Sequence, residues 1–181
     1  LSKLEGRVEV FDAVSGELRR EMSASEVVDI QSLEHRRYRM VKPKDFRLPD
    51  HSYQEQVGDI IVTNQRSAGG TGDHAVVATD CSGLTLEDVT LYASPAFGFL
   101  ELRCDDSAYS RCKIDRRSHA EDHVKRELRR LRSLNADAFH SIQAVKGPAI
   151  VGCTAKFQDD DCVNIHGAYH LVTASHGNDL R

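Results

Sequence analysis

Two stretches near the C-terminus decide the fold: Asn135-Ala136-Asp137-Ala138-Phe139-His140, and Asp160-Asp161-Cys162-Val163-Asn164-Ile165-His166-Gly167. Asp137 and Asp161 lie 24 positions apart, as do Phe139 and Val163, and His140 and Asn164. An offset held over several residues marks a structural repeat. When each turn of a chain stacks on the last, residues one turn apart become neighbours across a strand spacing of about 4.8 Å. Acidic groups remote in sequence then share one place.

The repeat extends backward if one insertion is allowed. Phe97-Gly98-Phe99-Leu100 precedes Asp137-Ala138-Phe139-His140 by 40 positions, one turn plus an insertion. Tyr109-Ser110-Arg111-Cys112-Lys113-Ile114 precedes Ile150-Val151-Gly152-Cys153-Thr154-Ala155 by 41, so two separate strips agree to within one residue. The segment from Ser118 to Leu131 is rich in Glu, Lys, Arg and His and reads as the insertion, a charged helix protruding from a corner. Gly58 to Val62, His74 to Ala78 and Leu84 to Leu91 are short, β-branched and punctuated by Gly and Asp, as strands with tight corners should be. Arg7 to Phe11 and Glu17 to Arg20 alternate around Ser15-Gly16, which predicts a hairpin.

These patterns predict an all-β chain, a right-handed parallel β-helix of the pectin-lyase-like kind with a short helical insertion. A β-rich segment over 1–56 leads into solenoid turns over 57–181. An antiparallel sandwich would also show many short strands, but not a constant offset with like residues in register. Stacked repeats need capping ends, and the last residues, Leu171 to Arg181, carry no obvious cap, so the chain is expected to be a fragment of a longer protein.

The stretch from Ala136 to Ser141, then Lys146-Gly147-Pro148 and Asp160 to Gly167, resembles the catalytic segment of glycoside hydrolase family 110. The resemblance spans roughly Val57 to Val172, and its most specific part is Asp-Asp-x-Val-Asn-Ile-His-Gly with an upstream Asp at the matching distance. It implies a right-handed parallel β-helix α-galactosidase. A more distant likeness is to the polygalacturonases, whose Asn-x-Asp and Asp-Asp-Cys segments parallel Asn135-Ala136-Asp137 and Asp160-Asp161-Cys162. Their downstream Gly-His-Gly and Arg-x-Lys segments have no clear match, which argues against pectin chemistry.

The residues point the same way by themselves. Glycosidic cleavage needs a carboxylic acid to protonate the leaving oxygen and a carboxylate to activate water or attack carbon. Asp137, Asp160 and Asp161 are the candidate catalytic residues, and crowded like charges should retain a proton near neutral pH. Asp160 is expected as the acid, with Asp137 and Asp161 positioning water in an inverting reaction. His140, Asn164 and His166 are candidate substrate-binding residues: Asn164 and His166, on the outward face, are able to hydrogen-bond a sugar hydroxyl or orient a carboxylate, and His140 is expected to stack on Asn164. Strict alternation that buries Phe139, Val163 and Ile165 would send Asp137 and Asp161 inward, so a bend is required just before Ala138 and Cys162. The bland alternative is that these aspartates cap turns through bonds to the backbone.

Other chemistries fit less well. A calcium-dependent lyase could draw oxygens from Asp159 to Asp161, but no Arg or Lys falls in the matched strips to serve as its base. His166-x3-His170 and His119-x3-His123 have helical metal-ligand spacing, yet the first lies on an expected strand and the second on the charged helix. No metal or other cofactor is expected. The formal charge is −4, and acidic residues interrupt the basic cluster Lys125 to Arg130, so the expected partner is a carbohydrate and not nucleic acid. No apolar run approaches the roughly 18 residues of a membrane-spanning helix, and apolar residues at 40% with charged ones at 29% suit a globular domain. The chain begins at Leu1 with no basic-plus-apolar leader, so an export signal is either absent or already removed. Five cysteines without CxxC spacing are expected as thiols, or as one disulfide with the rest free.

Overall fold

The computed structural model describes residues 8–22, 29–34, 37–41, 55–63, 73–117, 130–168, 172–177 and 179–180. Every regular element among them is a β-strand. Two compact units divide near Gly70, with residues 127–131 grouped with the first.

In the first unit, β1 (Val8–Phe11) and β2 (Leu18–Met22) form the expected hairpin, antiparallel with Val8 opposite Met22. The turn closes because Asp12 accepts the N–H groups of Val14 and Ser15 at 2.9 and 2.7 Å, as short acidic side chains do in turns. β3 (Asp29–Ser32) pairs with β4 (Tyr38–Val41) as a separate antiparallel ribbon. β5 (Ile60–Thr63) lies antiparallel against β1, so the strand expected to open the solenoid completes this first sheet. The two compact units part near residue 70.

The second unit is built from parallel sheets. Its strands are β6 (Val76–Thr79), β7 (Thr85–Glu87), β8 (Thr90–Leu91), β9 (Phe99–Leu102), β10 (Ala108–Ser110), β11 (Lys113–Ile114), β12 (Phe139–Ile142), β13 (Ala149–Val151), β14 (Thr154–Ala155) and β15 (Val163–His166). They sort into three sheets, ordered β15-β12-β9-β6, β13-β10-β7 and β14-β11-β8. The chain visits the sheets in rotation and returns to each in the same order. The registers are those expected: Phe139 beside Val163, Phe139 beside Phe99, Tyr109 beside Ile150, and Ile114 beside Ala155. An earlier pass, not aligned from the sequence, pairs Val76 with Phe99, Leu86 with Tyr109 and Leu91 with Ile114. The antiparallel ribbon β16 (Ser175–His176) and β17 (Asp179–Leu180) follows.

The core lies between the three sheets. Phe99 and Phe139 stack with centroids 5.1 Å apart, Tyr109 meets Phe139 edge-on at 5.4 Å, and Ile114, Leu134 and Ala138 close the cluster. Such offset and edge contacts add about 0.5–1.5 kcal/mol each beyond the apolar area they bury. One acidic group enters this core. Glu101, buried, accepts from the Tyr109 hydroxyl at 2.9 Å and the Ser141 hydroxyl at 2.6 Å, and burial together with this bond pushes the Tyr109 phenol up from its ordinary value.

Corners recur at fixed positions. Asp80, Arg103 and Gln143 each follow a strand of the four-stranded sheet with φ between 52° and 61°, and Asp88, Arg111 and Gly152 repeat this at the next corner with φ between 51° and 64°. Arg103 reaches back to Asp80 at 2.6 Å, and Arg111 to Asp88 at 2.8 Å. Asp105 accepts the N–H groups of Val145 and Lys146 at 2.7 and 3.0 Å, fastening one pass to the next across the insertion. The charged helix expected over 118–131 lies, but for its last two residues, outside the described residues; Arg130 and Leu131 are irregular.

All five cysteines are thiols, Cys104 and Cys112 buried and Cys153 partly so. Burial pushes the Cys112 thiol up from its ordinary value.

Two predictions follow from this packing. A Cβ on Gly98 would sit 2.7 Å from the Ala138 carbonyl and 2.9 Å from the Leu134 side chain, so Gly98→Ala should destabilise the chain by about 1–3 kcal/mol in urea titrations. Asp80 and Asp88 are held below the usual carboxylate range by guanidinium hydrogen bonds, and Asp105 by backbone N–H groups. A depressed folded value gives stability that is present above the unfolded value of about 3.9 and is lost as pH falls through the folded one. The melting temperature should therefore drop on acidification below about pH 4, and less steeply in Asp105→Asn.

Candidate active site

The candidate residues gather at one border of the four-stranded sheet. Its ladder continues upstream of the strands, with the Gly98 N–H donating to Asp137 O and the Ala138 N–H to Asp161 O, both at 2.9 Å. His74, Phe97, Asp137 and Asp161 thus occupy one position in four successive passes. The chain bends at Gly98, Ala138 and Cys162, but the outcome differs from the expected one: Asp137 is buried behind its bend, and Val163 and Ile165, on the last pass of the sheet, are exposed. Ala138 and Phe139 are both buried, against strict alternation.

Asp137 and Asp161 share a position, and Asp160 joins them. One oxygen from each of the three lies within 4.8 Å of the others. Three carboxylates so placed could also share a cation. Their environments differ. Asp137 is 2% exposed, whereas Asp160 and Asp161 are open to solvent and form no ion pair among the described residues.

Asp137 is held by His140. His140 Nδ1 lies 2.5 Å from Asp137 Oδ2, its Nε2 lies 3.1 Å from His166 Nε2, and His166 Nδ1 lies 2.8 Å from the carbonyl oxygen of Gly167. His140 is expected from the sequence only as a substrate-binding residue stacked on Asn164; its ring contacts are to Asp137 and His166. Asn164 sits beside His140 in register and half-buried, with its amide unbonded among the described residues. The Phe97 ring lies between two imidazoles, stacked on His74 at 5.0 Å and tilted against His140 at 4.3 Å. Neither Phe97 nor His74 was singled out from the sequence as a site residue. The 40-residue register that aligns Phe97 with Asp137 contained the information for Phe97.

Asp159 takes a different part. It is buried and paired with Arg132 at 3.1 Å, and Arg132 also donates to the Gln158 carbonyl at 2.9 Å. It is thereby committed to the fold and turned to a different partner from its two neighbours.

No protein-family model matches the chain, and no curated protein matches it in sequence.

Removing one member of a buried ion pair strands the other. Arg132→Met should destabilise the chain by about 3 kcal/mol in denaturant titrations, and adding Asp159→Leu should recover most of the loss. A double variant no more stable than the single one would show that the pair is not what Asp159 contributes.

Proposed function

We propose that the second unit is a right-handed parallel β-helix and that it carries an exo-acting, metal-independent glycoside hydrolase, cleaving terminal α-linked galactose with its aspartate cluster. The observation that carries this reading is the meeting of three carboxylates, one buried and held by a histidine and two exposed without counter-ions among the described residues, at one sheet border. The rotation of the chain through three parallel sheets supports the solenoid. The likeness of Asp160 to Gly167 and Asp137 to the catalytic segment of glycoside hydrolase family 110 supports the substrate class.

In this reading an exposed aspartate protonates the departing oxygen while a second carboxylate handles the water or the sugar carbon. Asp160 is the acid and Asp161 its partner, with Asp137 fixing the site from behind. Asn164 is placed to bond a hydroxyl, and the Phe97 ring backs the His140 imidazole. Inversion follows from the family likeness.

Aryl α-galactosides should be hydrolysed, with activity surviving EDTA and lost by at least about 100-fold in Asp160→Asn and Asp161→Asn while circular dichroism stays unchanged. NMR of the anomer first released separates inversion from retention. Absence of hydrolysis across aryl glycosides, with glycan binding intact, would identify a non-catalytic glycan-binding or structural β-helix. An unsaturated product absorbing after pectic polymer is cut would identify a lyase.

A further inference from the structure

We propose that Asp137, His140 and His166 form one proton relay, in which the two imidazoles position Asp137 and carry a proton between it and the half-exposed edge of the site. Its catalytic consequence rests on the hydrolase reading above; its hydrogen-bond content does not.

The partners fix the proton count. A carbonyl oxygen only accepts, so the Nδ1 of His166 that faces Gly167 O carries hydrogen. The 3.1 Å contact between the two Nε2 atoms needs a proton on one ring and a lone pair on the other. The 2.5 Å contact between His140 Nδ1 and Asp137 Oδ2 needs a proton between them. Three links therefore hold three protons. Two neutral imidazoles bring two of them, and the third cancels the charge of Asp137. The assembly is neutral as a whole, which removes the penalty of an unpaired carboxylate at a site only 2% exposed.

The same three protons can be distributed in several ways. With His140 doubly protonated, the pair is an imidazolium beside a carboxylate. Passing its Nδ1 proton to Asp137 makes a neutral acid, and passing its Nε2 proton to His166 moves the positive charge to the outer ring. No atom is gained or lost, and His166 keeps its Nδ1–H throughout. Among the described residues, the groups facing the relay include Asp160 and Asp161 across the acid cluster, and His74 behind Phe97. Cancelling the charge on Asp137 relieves the repulsion it would exert on the two exposed aspartates. His140 and His166 are thus positioning residues.

The test is a long-range proton–nitrogen NMR spectrum of the full chain labelled with nitrogen-15 histidine, its two signals assigned through His140→Gln and His166→Gln. His166 should show a protonated Nδ1, the less common tautomer of a neutral imidazole, and Asp137→Asn should change the His140 ring signals. A His166 ring protonated only on Nε2, or a His140 ring indifferent to Asp137→Asn, overturns the relay. In the active chain, His166→Gln should lower kcat by about 10- to 100-fold with KM within about twofold and should shift a limb of the pH profile. A loss confined to KM would instead mark a sugar contact and overturn the positioning role. Because the NMR spectrum needs no substrate, failure of the hydrolase reading and failure of the relay are read separately.

Discussion

Parallel pairing of successive passes is the constraint on which the second unit depends. It binds each residue to the one that follows it a pass later, at a strand spacing of about 4.8 Å. The bonding runs past the strands into the bends, as the Gly98 to Asp137 and Ala138 to Asp161 bonds show. Each position must therefore solve its own stacking problem. Inside, Phe99 and Phe139 do so by lying flat on one another. At the corners the solution is opposite charge, Arg103 on Asp80 and Arg111 on Asp88, in a left-handed backbone that Asp tolerates better than most residues.

Like charge on like charge is what such a ladder avoids, because acids in direct register repel. Asp137 over Asp161 breaks that rule. Elsewhere in the unit several acids acquire an arginine, a lysine, backbone N–H groups or hydroxyls: Asp88 has Arg111, Asp106 has Lys146, Asp105 has Val145 and Lys146, and Glu101 has Tyr109 and Ser141. At this border a histidine takes one acid and nothing among the described residues neutralises the other two. Asp160 and Asp161 are exposed, so water screens their repulsion from Asp137 and each other.

The parts of this arrangement legible in the sequence were those in which like residues recur. Phe97-Gly98-Phe99 over Asp137-Ala138-Phe139 and Cys112 over Cys153 give the 40- and 41-residue registers, and Asp137 over Asp161 gives the 24-residue one. The earlier pass escaped because many of its partners are unlike, even though Leu91 meets Ile114 and Val77 meets Leu100. Val76 meets Phe99, Ala78 meets Glu101, and Asp80 meets Arg103, so complementarity replaces similarity. β5 escaped for another reason: Ile60-Ile61-Val62 is as suited to an antiparallel edge as to a solenoid strand, and only its pairing with β1 distinguishes them. The buried Glu101 was illegible too, since its acceptance depends on Tyr109 and Ser141 arriving from other passes.

Three consecutive aspartates end with separate fates, and the backbone explains the separation. Asp159 falls where Arg132 can reach it and is buried by the fold. Asp161 precedes the bend at Cys162, opposite Asp137 but on the pass that ends in the sheet's outer strand, and it is exposed along with Asp160. Composition treats the three as one acidic run, but a carboxylate is useful in chemistry only if the fold leaves its charge uncommitted. By that criterion Asp159 is structural and Asp137 is engaged by His140. The reacting groups of any chemistry at this border are then Asp160 and Asp161, and the stacked passes serve to set a third carboxylate behind them.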